Sequence, residues 1–351
     1  RRLFTGDDAG TAAVSFPDGI SDARKALLTR TGSIDYPVTG VQNAAYLAGD
    51  ATREERNGGN LRNRSTLLGD IVTSSPAYSA ETETVFVGSN DGMLHAFNAT
   101  NGRERFAYLP GGLNWNALGG LSRPDYSHRY SVDGPIVIST RRQTASRNIL
   151  VGALGRGGKG LYALDVTNPS AFSANDFKWE ARDTAGAMGL VQSRPVIARL
   201  NNGSVAVITA NGINSSNGQA ALILLDVDTG ASIKVLGTGV GSAAVDSPQS
   251  NGLTSAIGWD ADGSGTVDYV YGGDMLGNIW KFDLSVANTA QWSIAGNAPM
   301  FTAVDSGGTP QPITSGLTMA LHPRTYQPWL FFGTGRLITS GDMSTRTVQS
   351  L

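Results

Sequence analysis

Oxygen-bearing side chains recur at every second position between Asp260 and Asp268: Asp260, Asp262, Ser264, Thr266 and Asp268. Counted as a loop, they hold positions 1, 3, 5, 7 and 9. Those positions feed a calcium loop of the EF-hand type, in which position 7 offers its backbone carbonyl. Gly265 holds position 6, where such a loop needs a residue that tolerates a sharp turn. Calcium is a hard cation that takes about six to eight oxygens, so a short loop folding alternate oxygens inward suits it. Two features depart from an EF-hand. Position 12 is Tyr271 where a bidentate Glu is expected, and position 5 is Ser rather than Asp or Asn. The flanks read as strands rather than helices. The competing reading is a polar Asp/Gly hairpin that binds nothing, since such dipeptides are ordinary turn formers. Three carboxylates crowded into one short turn repel one another without a cation, which favours a calcium loop set between strands. Asp274 is close in sequence but belongs to the far end of the following strand, so it is not counted as a ligand.

Other chemistry is sparse. Gly155-Arg-Gly157-Gly158-Lys-Gly160 fits the GxGxxG dinucleotide pattern. That motif needs a strand before it and a helix after it; here a strand, Leu161–Leu164, follows, so the run reads as a hairpin loop. His95, His128 and His322 stand alone, with no second ligand at metal-binding spacing. There is no GxSxG nucleophile elbow, and the carboxylates are scattered over turns without an evident base. Arg141, Arg142 and Arg147 form a basic turn, read as solvated. The six tryptophans fall mostly at strand positions and read as packing groups rather than a ligand cage.

These residues must be positioned by a fold, and composition points to one. The 351 residues suffice for one large or two ordinary domains. Forty-five glycines, dispersed without a collagen period, between short apolar runs, suggest an all-β fold with many tight turns. A net charge of −2 argues against nucleic acid as a partner. No apolar run reaches transmembrane length and no signal peptide is seen; the abrupt start at Arg1 suggests an excised domain. Without cysteine there are no disulfides or thiol nucleophiles, which suits cytosol or periplasm alike.

Residues 1–69 differ from the rest. Arg2–Thr5 reads as a strand. Ser21–Arg30 reads as a helix, with Ser21 as N-cap and Asp22 in the first turn, and Val41–Gly49 as a second, weaker one. Ala51–Asn63 is rich in mixed charge and reads as a solvated loop or ion-pair cluster. This segment is expected to supply a strand and short helices, as part of a further blade. From Gly69 onward the chain repeats. Units open at Ser75–Tyr78, Gly134–Val137, Arg194–Ile197, Leu253–Ala256 and Leu317–Ala320, about 60 residues apart. Each continues with an apolar second strand, such as Thr84–Gly88 or Asn148–Gly152, then a turn, a third strand and a fourth. Four short strands per unit describe a propeller blade. Five blades are visible over residues 70–351, the last truncated, with the 260–268 loop inserted between the first and second strands of the fourth.

Several stretches resemble the C-terminal domain of the PilY/PilC proteins, the type IV pilus biogenesis factors and tip-associated adhesins. They are Leu67-Leu-Gly-Asp70-Ile-Val-Thr-Ser-Ser-Pro76, Val85–Phe97, Val132-Asp-Gly-Pro135, Ser193–Arg199, Trp259–Asp283 and Gly333-Thr-Gly-Arg336. The resemblance covers nearly the whole chain. It implies a modified, quinoprotein-like β-propeller, seven-bladed in the intact domain, with a calcium loop in one blade. Carried over by position, Asp260, Asp262, Ser264 and Asp268 become side-chain ligands and Thr266 a carbonyl ligand; family members commonly have Asp where Ser264 stands. It further implies a non-enzymatic, exported protein of the periplasm, cell surface or pilus tip. Its partners would be pilus components such as minor pilins, with host-cell receptors as further candidates. Calcium occupancy would be coupled to pilus extension against retraction. The Arg-Gly-Asp carried by some members is absent, since Gly49-Asp50 and Gly69-Asp70 follow Ala48 and Leu68.

Two other readings compete. A quinoprotein-like dehydrogenase shares the propeller scaffold, but its vicinal cysteines are absent and the calcium loop sits within one blade. An extracellular glycan-binding propeller is the second. A cytosolic WD-repeat scaffold is disfavoured because no Trp-Asp pair closes successive units.

Overall fold

The computed structural model describes residues 1–182, 185–242 and 250–351. Their strands form five sheets. The first has six strands: β1 (Leu3–Gly6), β2 (Ala13–Ser15), β3 (Ala77–Ser79), β4 (Thr84–Gly88), β5 (Leu94–Asn98) and β6 (Glu104–Leu109), in the order β2-β1-β6-β5-β4-β3. The second runs β7 (Ile136–Ile138), β8 (Ile149–Ala153), β9 (Gly160–Asp165) and β10 (Phe177–Arg182). The third runs β11 (Val196–Arg199), β12 (Val205–Ala210), β13 (Gln219–Asp226) and β14 (Ser232–Gly241). The fourth joins β15 (Ile257–Trp259), β16 (Tyr269–Gly273), β17 (Asn278–Asp283) and β18 (Ser293–Ile294), with β19 (Phe301–Thr302) also on β17. The fifth is the pair β20 (Thr318–Leu321) and β21 (Pro328–Phe331). Within the runs β3–β6, β7–β10, β11–β14 and β15–β18, and in the pair β20–β21, consecutive strands pair antiparallel, the pattern of short turn-linked meanders.

The chain is all-β with a few short helices, and the repeating strands sit close to where the sequence puts them. One opening strand moves: Leu253 and Thr254 bond to Asp274 and Gly273, but β15 itself starts at Ile257. The N-terminal strands extend an existing sheet rather than founding another. β1 pairs parallel to β6, Leu3 opposite Ala107, and β2 pairs antiparallel to β1.

The helices follow their capping signals. In α1 (Asp22–Leu28) the Ser21 hydroxyl accepts the Arg24 amide, which supplies a partner for one orphan N–H of the first turn. In α2 (Gly40–Ala48) Thr39 and Gln42 form a capping box, and Gly49 closes the helix at φ 115°. A third helix, α3 (Trp115–Gly119), has no counterpart in the sequence reading; Asn114 caps it. The charged stretch after α2 is an ion-pair cluster. The buried Glu54 receives Arg56 at 2.6 Å and Arg64 at 2.9 Å, and Arg64 also lies over the Tyr46 ring.

The chain divides into two units, Arg1–Arg182 with Asp228–Gly230, and Asp183–Val227 with Ala231–Leu351. In the first, Phe86, Phe106, Tyr108, Leu150 and Leu164 belong to one buried cluster, and Phe106 stacks on Phe172 with ring centroids 3.8 Å apart. Every residue of β8 is buried, so its continuous apolar run reflects cover on both faces. The glycine that ends this run has a steric cause: a Cβ on Gly152 would meet the Tyr162 ring at 2.3 Å. In the second unit Ile208, Leu222, Leu224, Val270, Trp280 and Phe282 form the core that carries β15 and β16. Each such side chain contributes roughly 1.5–3 kcal/mol by leaving water. Trp115, Trp179, Trp280 and Trp292 are buried packing groups as read, whereas Trp329 is half exposed on β21.

Candidate metal centre

The loop between β15 and β16 begins where the pairing of Trp259 with Tyr269 ends. Asp268 closes it with a backbone bond, its amide donating to the Trp259 carbonyl at 2.9 Å. Inside this closure the chain turns on its own carboxylates. Asp260 Oδ1 accepts the amides of Gly263 (2.8 Å) and Ser264 (3.2 Å), and its Oδ2 accepts that of Gly265 (2.8 Å). Asp262 Oδ1 accepts the Ser264 amide at 2.9 Å. Asp268 Oδ2 accepts the Ala261 amide at 2.8 Å. Gly265 has φ +85°, in the left-handed region that favours glycine, as its loop position demands.

The result is convergence. Asp260, Asp262 and Asp268 each present a carboxylate oxygen, all within 4.8 Å of one another. Asp268 is 5% exposed, while Asp262 and Ser264 face solvent. The Ser264 hydroxyl and amide hold the Asp262 carboxyl below the usual carboxylate range. Ser264 Oγ lies 2.8 Å from Thr266 Oγ1. No donor among the described residues occupies the Thr266 carbonyl. The donor set is therefore all oxygen and rich in carboxylate, the chemistry that suits a hard divalent cation rather than a soft one. Tyr271, at the position of the missing glutamate, is committed to β16 opposite Ile257.

Sequence reasoning missed Asn201. It sits in the turn between β11 and β12, next to Leu200, which bridges to Val267. Its Nδ2 donates to Asp268 Oδ1 at 2.9 Å, Leu284 O at 3.1 Å and Val267 O at 3.3 Å, and its Oδ1 accepts the Thr266 hydroxyl at 2.7 Å. Nothing in an Asn-Asn-Gly turn announces a contact 67 residues away. Asp274, set aside as a ligand, is fully buried and spent on N–H donors. Its Oδ2 receives Asn251, Asn278 and Trp280, and its Oδ1 the amides of Leu276 and Asn278.

Gly155–Gly157 is a single 3-10 turn that leads into the strand β9 rather than into an α-helix. His95 is not isolated: it is buried between Asp91 (2.9 Å) and Glu104 (2.8 Å). Carboxylates thus do pair with a base: Asp91 from the turn four residues before it, and Glu104 from the neighbouring strand β6. Burial lowers the His95 pKa, but the charge and hydrogen bond of Asp91, with those of Glu104, outweigh it and hold the imidazolium to about 9. Glu104 is also bound by Arg1. His128 pairs with Asp70 at 2.8 Å on the surface, and His322 accepts from Thr325. In the basic turn, Arg147 makes a two-pronged pair with Asp228. No helix of the described residues is long and apolar enough to cross a membrane.

Successive sheets built from antiparallel meanders, one with a carboxylate loop between its first two strands, define an all-β repeat fold with a candidate divalent-cation site. Comparison with known proteins gives this class its family. A family model described as the PilY1 beta-propeller domain matches residues 59–351. A type IV pilus biogenesis factor PilY1 homolog of Xylella fastidiosa is 37% identical over 360 residues, covering 90% of this chain and 24% of its own length. The type IV pilus biogenesis factor PilY1 of Pseudomonas aeruginosa strain PAK is 35% identical over 353 residues, covering 86% of this chain and 29% of its own length. The crystal structure of the Pseudomonas aeruginosa PilY1 C-terminal domain matches with a TM-score of 0.62 at 34% identity, over 76% of this chain and 55% of that one. The chain belongs to the PilY1 family. It spans about a quarter of the length of the curated relatives it matches.

Proposed function

We propose that this chain is the calcium-binding, non-enzymatic propeller domain of a type IV pilus biogenesis and adhesion protein. The observation that carries the reading is the convergence of Asp260, Asp262 and Asp268 on one exposed loop in a chain of this family. The ligands would be those three carboxylates, the Ser264 hydroxyl and the Thr266 carbonyl, with water completing the shell. Bound calcium would supply the positive charge that offsets the three carboxylates. The chain supplies the rest: Gly265 turns the loop, backbone amides orient Asp260, and the closure at Asp268 fixes the loop to β15 and β16.

The repeated sheets support a modified, quinoprotein-like propeller, seven-bladed in the intact domain, with residues 1–69 contributing strands and short helices and residues 70–351 the blades. The family supports an exported protein that acts at the periplasm, the cell surface or the pilus tip. There it would meet pilus components such as minor pilins, and host-cell surface receptors. Regulation of extension against retraction follows if partners distinguish the calcium-loaded loop from the calcium-free one, since a ligand shifts an equilibrium only through differential affinity. Asp268→Ala tests both levels. Calorimetry is expected to lose calcium binding while the fold is retained, and cells carrying the variant in the full-length protein should lose normal surface piliation or twitching. Wild-type calcium affinity in the variant would overturn the site; normal motility with binding lost would overturn the regulatory role.

A further inference from the structure

We propose that Asn201 is a positioning residue that couples cation occupancy of the 260–268 loop to the order of the turn between β11 and β12. This rests on the calcium reading of the loop. Among the described residues, Asn201 is the one side chain from outside the loop that hydrogen-bonds the side chains of the five expected ligand residues. It reaches two of them. One is Asp268, through an N–H at 2.9 Å, and the other is Thr266, through its carbonyl oxygen at 2.7 Å. The same amide group bonds Val267 O and Leu284 O, on the segments leading into β16 and out of β17.

Three chain segments thus meet at one amide. Outer-shell partners of this kind orient a ligating group and tune its basicity, and their loss typically weakens metal affinity about 10- to 100-fold. Asp268 is the most buried of the three carboxylates, and its two oxygens are bonded by the Ala261 amide and by Asn201. The coupling runs both ways. A cation that fixes Asp268 also fixes Asn201, and through it a turn whose backbone is already closed by Leu200 and Ser204 at 2.9 Å. The turn's tip, Asn202 and Gly203, is exposed. A protein bound to that tip would change cation affinity by the same factor by which the cation changes its own binding.

The test uses the whole chain and calcium chloride. Calorimetry is run on the wild type, Asn201→Leu and Asn201→Ala, with hydrogen exchange of residues 200–204 measured with and without the ion. Both variants are expected to bind calcium about 10- to 100-fold more weakly. The slowing of exchange that calcium causes in the wild type is expected to vanish in both. A space-filling role predicts another order, with the near-isosteric Leu retaining affinity and Ala losing it. That order, affinities within about twofold of wild type, or slowing that persists in both variants would overturn the proposal. If one variant does not fold, judged by its thermal melt, the other carries the comparison of affinity and exchange. A wild-type chain that takes up no calcium overturns the loop reading itself, an outcome distinct from failure of Asn201 alone.

Discussion

Asp260 Oδ2 accepts the backbone amide of Gly265, five residues along, at 2.8 Å. The bond closes the loop on its first carboxylate, and it requires Gly265 at φ +85°. A β-branched residue there meets a backbone conformation that disfavours it by about 1–2 kcal/mol. Gly265→Val is therefore expected to strain the loop with or without the ion, lowering calcium-free stability by up to about 1–2 kcal/mol and weakening calcium binding, with no steric clash added because nothing lies within 4 Å of the new Cβ. Calorimetry and a thermal melt on one sample separate the two effects.

Ser264 offers a neutral hydroxyl at a position flanked by carboxylates. Ser264→Asp adds a fourth negative charge to the donor set. Affinity for calcium should rise by roughly tenfold, as ligand charge tunes such loops, while the calcium-free loop loses protection against hydrogen exchange through added repulsion. A lower affinity in this variant would show that Ser264 is not directed at the ion.

The buried His95 pair gives a pH prediction independent of any metal. His95 is raised from 6.5 to about 9, so its contribution to stability is complete below pH 6.5 and is lost as pH climbs through about 9. Burial raises the Glu104 carboxyl, but Arg1 and His95 outweigh it and lower it from 4.5 to about 2; that contribution is complete above pH 4.5 and is lost as pH falls through about 2. Melting temperature should fall between about pH 6.5 and about pH 10, and His95→Gln should remove most of that alkaline loss. His95→Ala should destabilise by about 3–5 kcal/mol, since it leaves Asp91 without its buried partner.

Asp274 stands at the opposite end of β16 from Asp268. Asp274→Asn turns an N–H toward the donors of Asn251, Asn278 and Trp280 and is expected to destabilise by about 1–3 kcal/mol. Calcium affinity should stay within about twofold of wild type. Loss of affinity with the fold intact would mean that the two ends of the strand are coupled.

Much of this was legible in the letters, and the reasons are physical. Strand order follows from short apolar runs ended by glycines such as Gly152, where a neighbouring ring fills the space. The carboxylate cluster follows from alternate positions on one local turn, so Asp260, Asp262 and Asp268 could be grouped without knowing the fold. What stayed hidden depends on pairing across distance. Asn201 reaches Asp268 only because Leu200 bridges to Val267, and His95 meets Glu104 only because β5 and β6 are neighbours. The N-terminal strand was visible, but its parallel place on β6 was not, since a pairing between segments so far apart in the chain leaves no spacing rule in the sequence.

Calcium binding at the 260–268 loop can be read residue by residue by titrating calcium into the isotopically labelled chain and following its backbone amide resonances. A saturable, one-site response is expected, centred on the amides of Gly263, Ser264 and Gly265, which now bond to Asp260 and Asp262, with a second set of shifts at residues 200–204. A chain whose 260–268 resonances do not move at saturating calcium, or move only together with many dispersed surface carboxylates, would contradict binding at this loop.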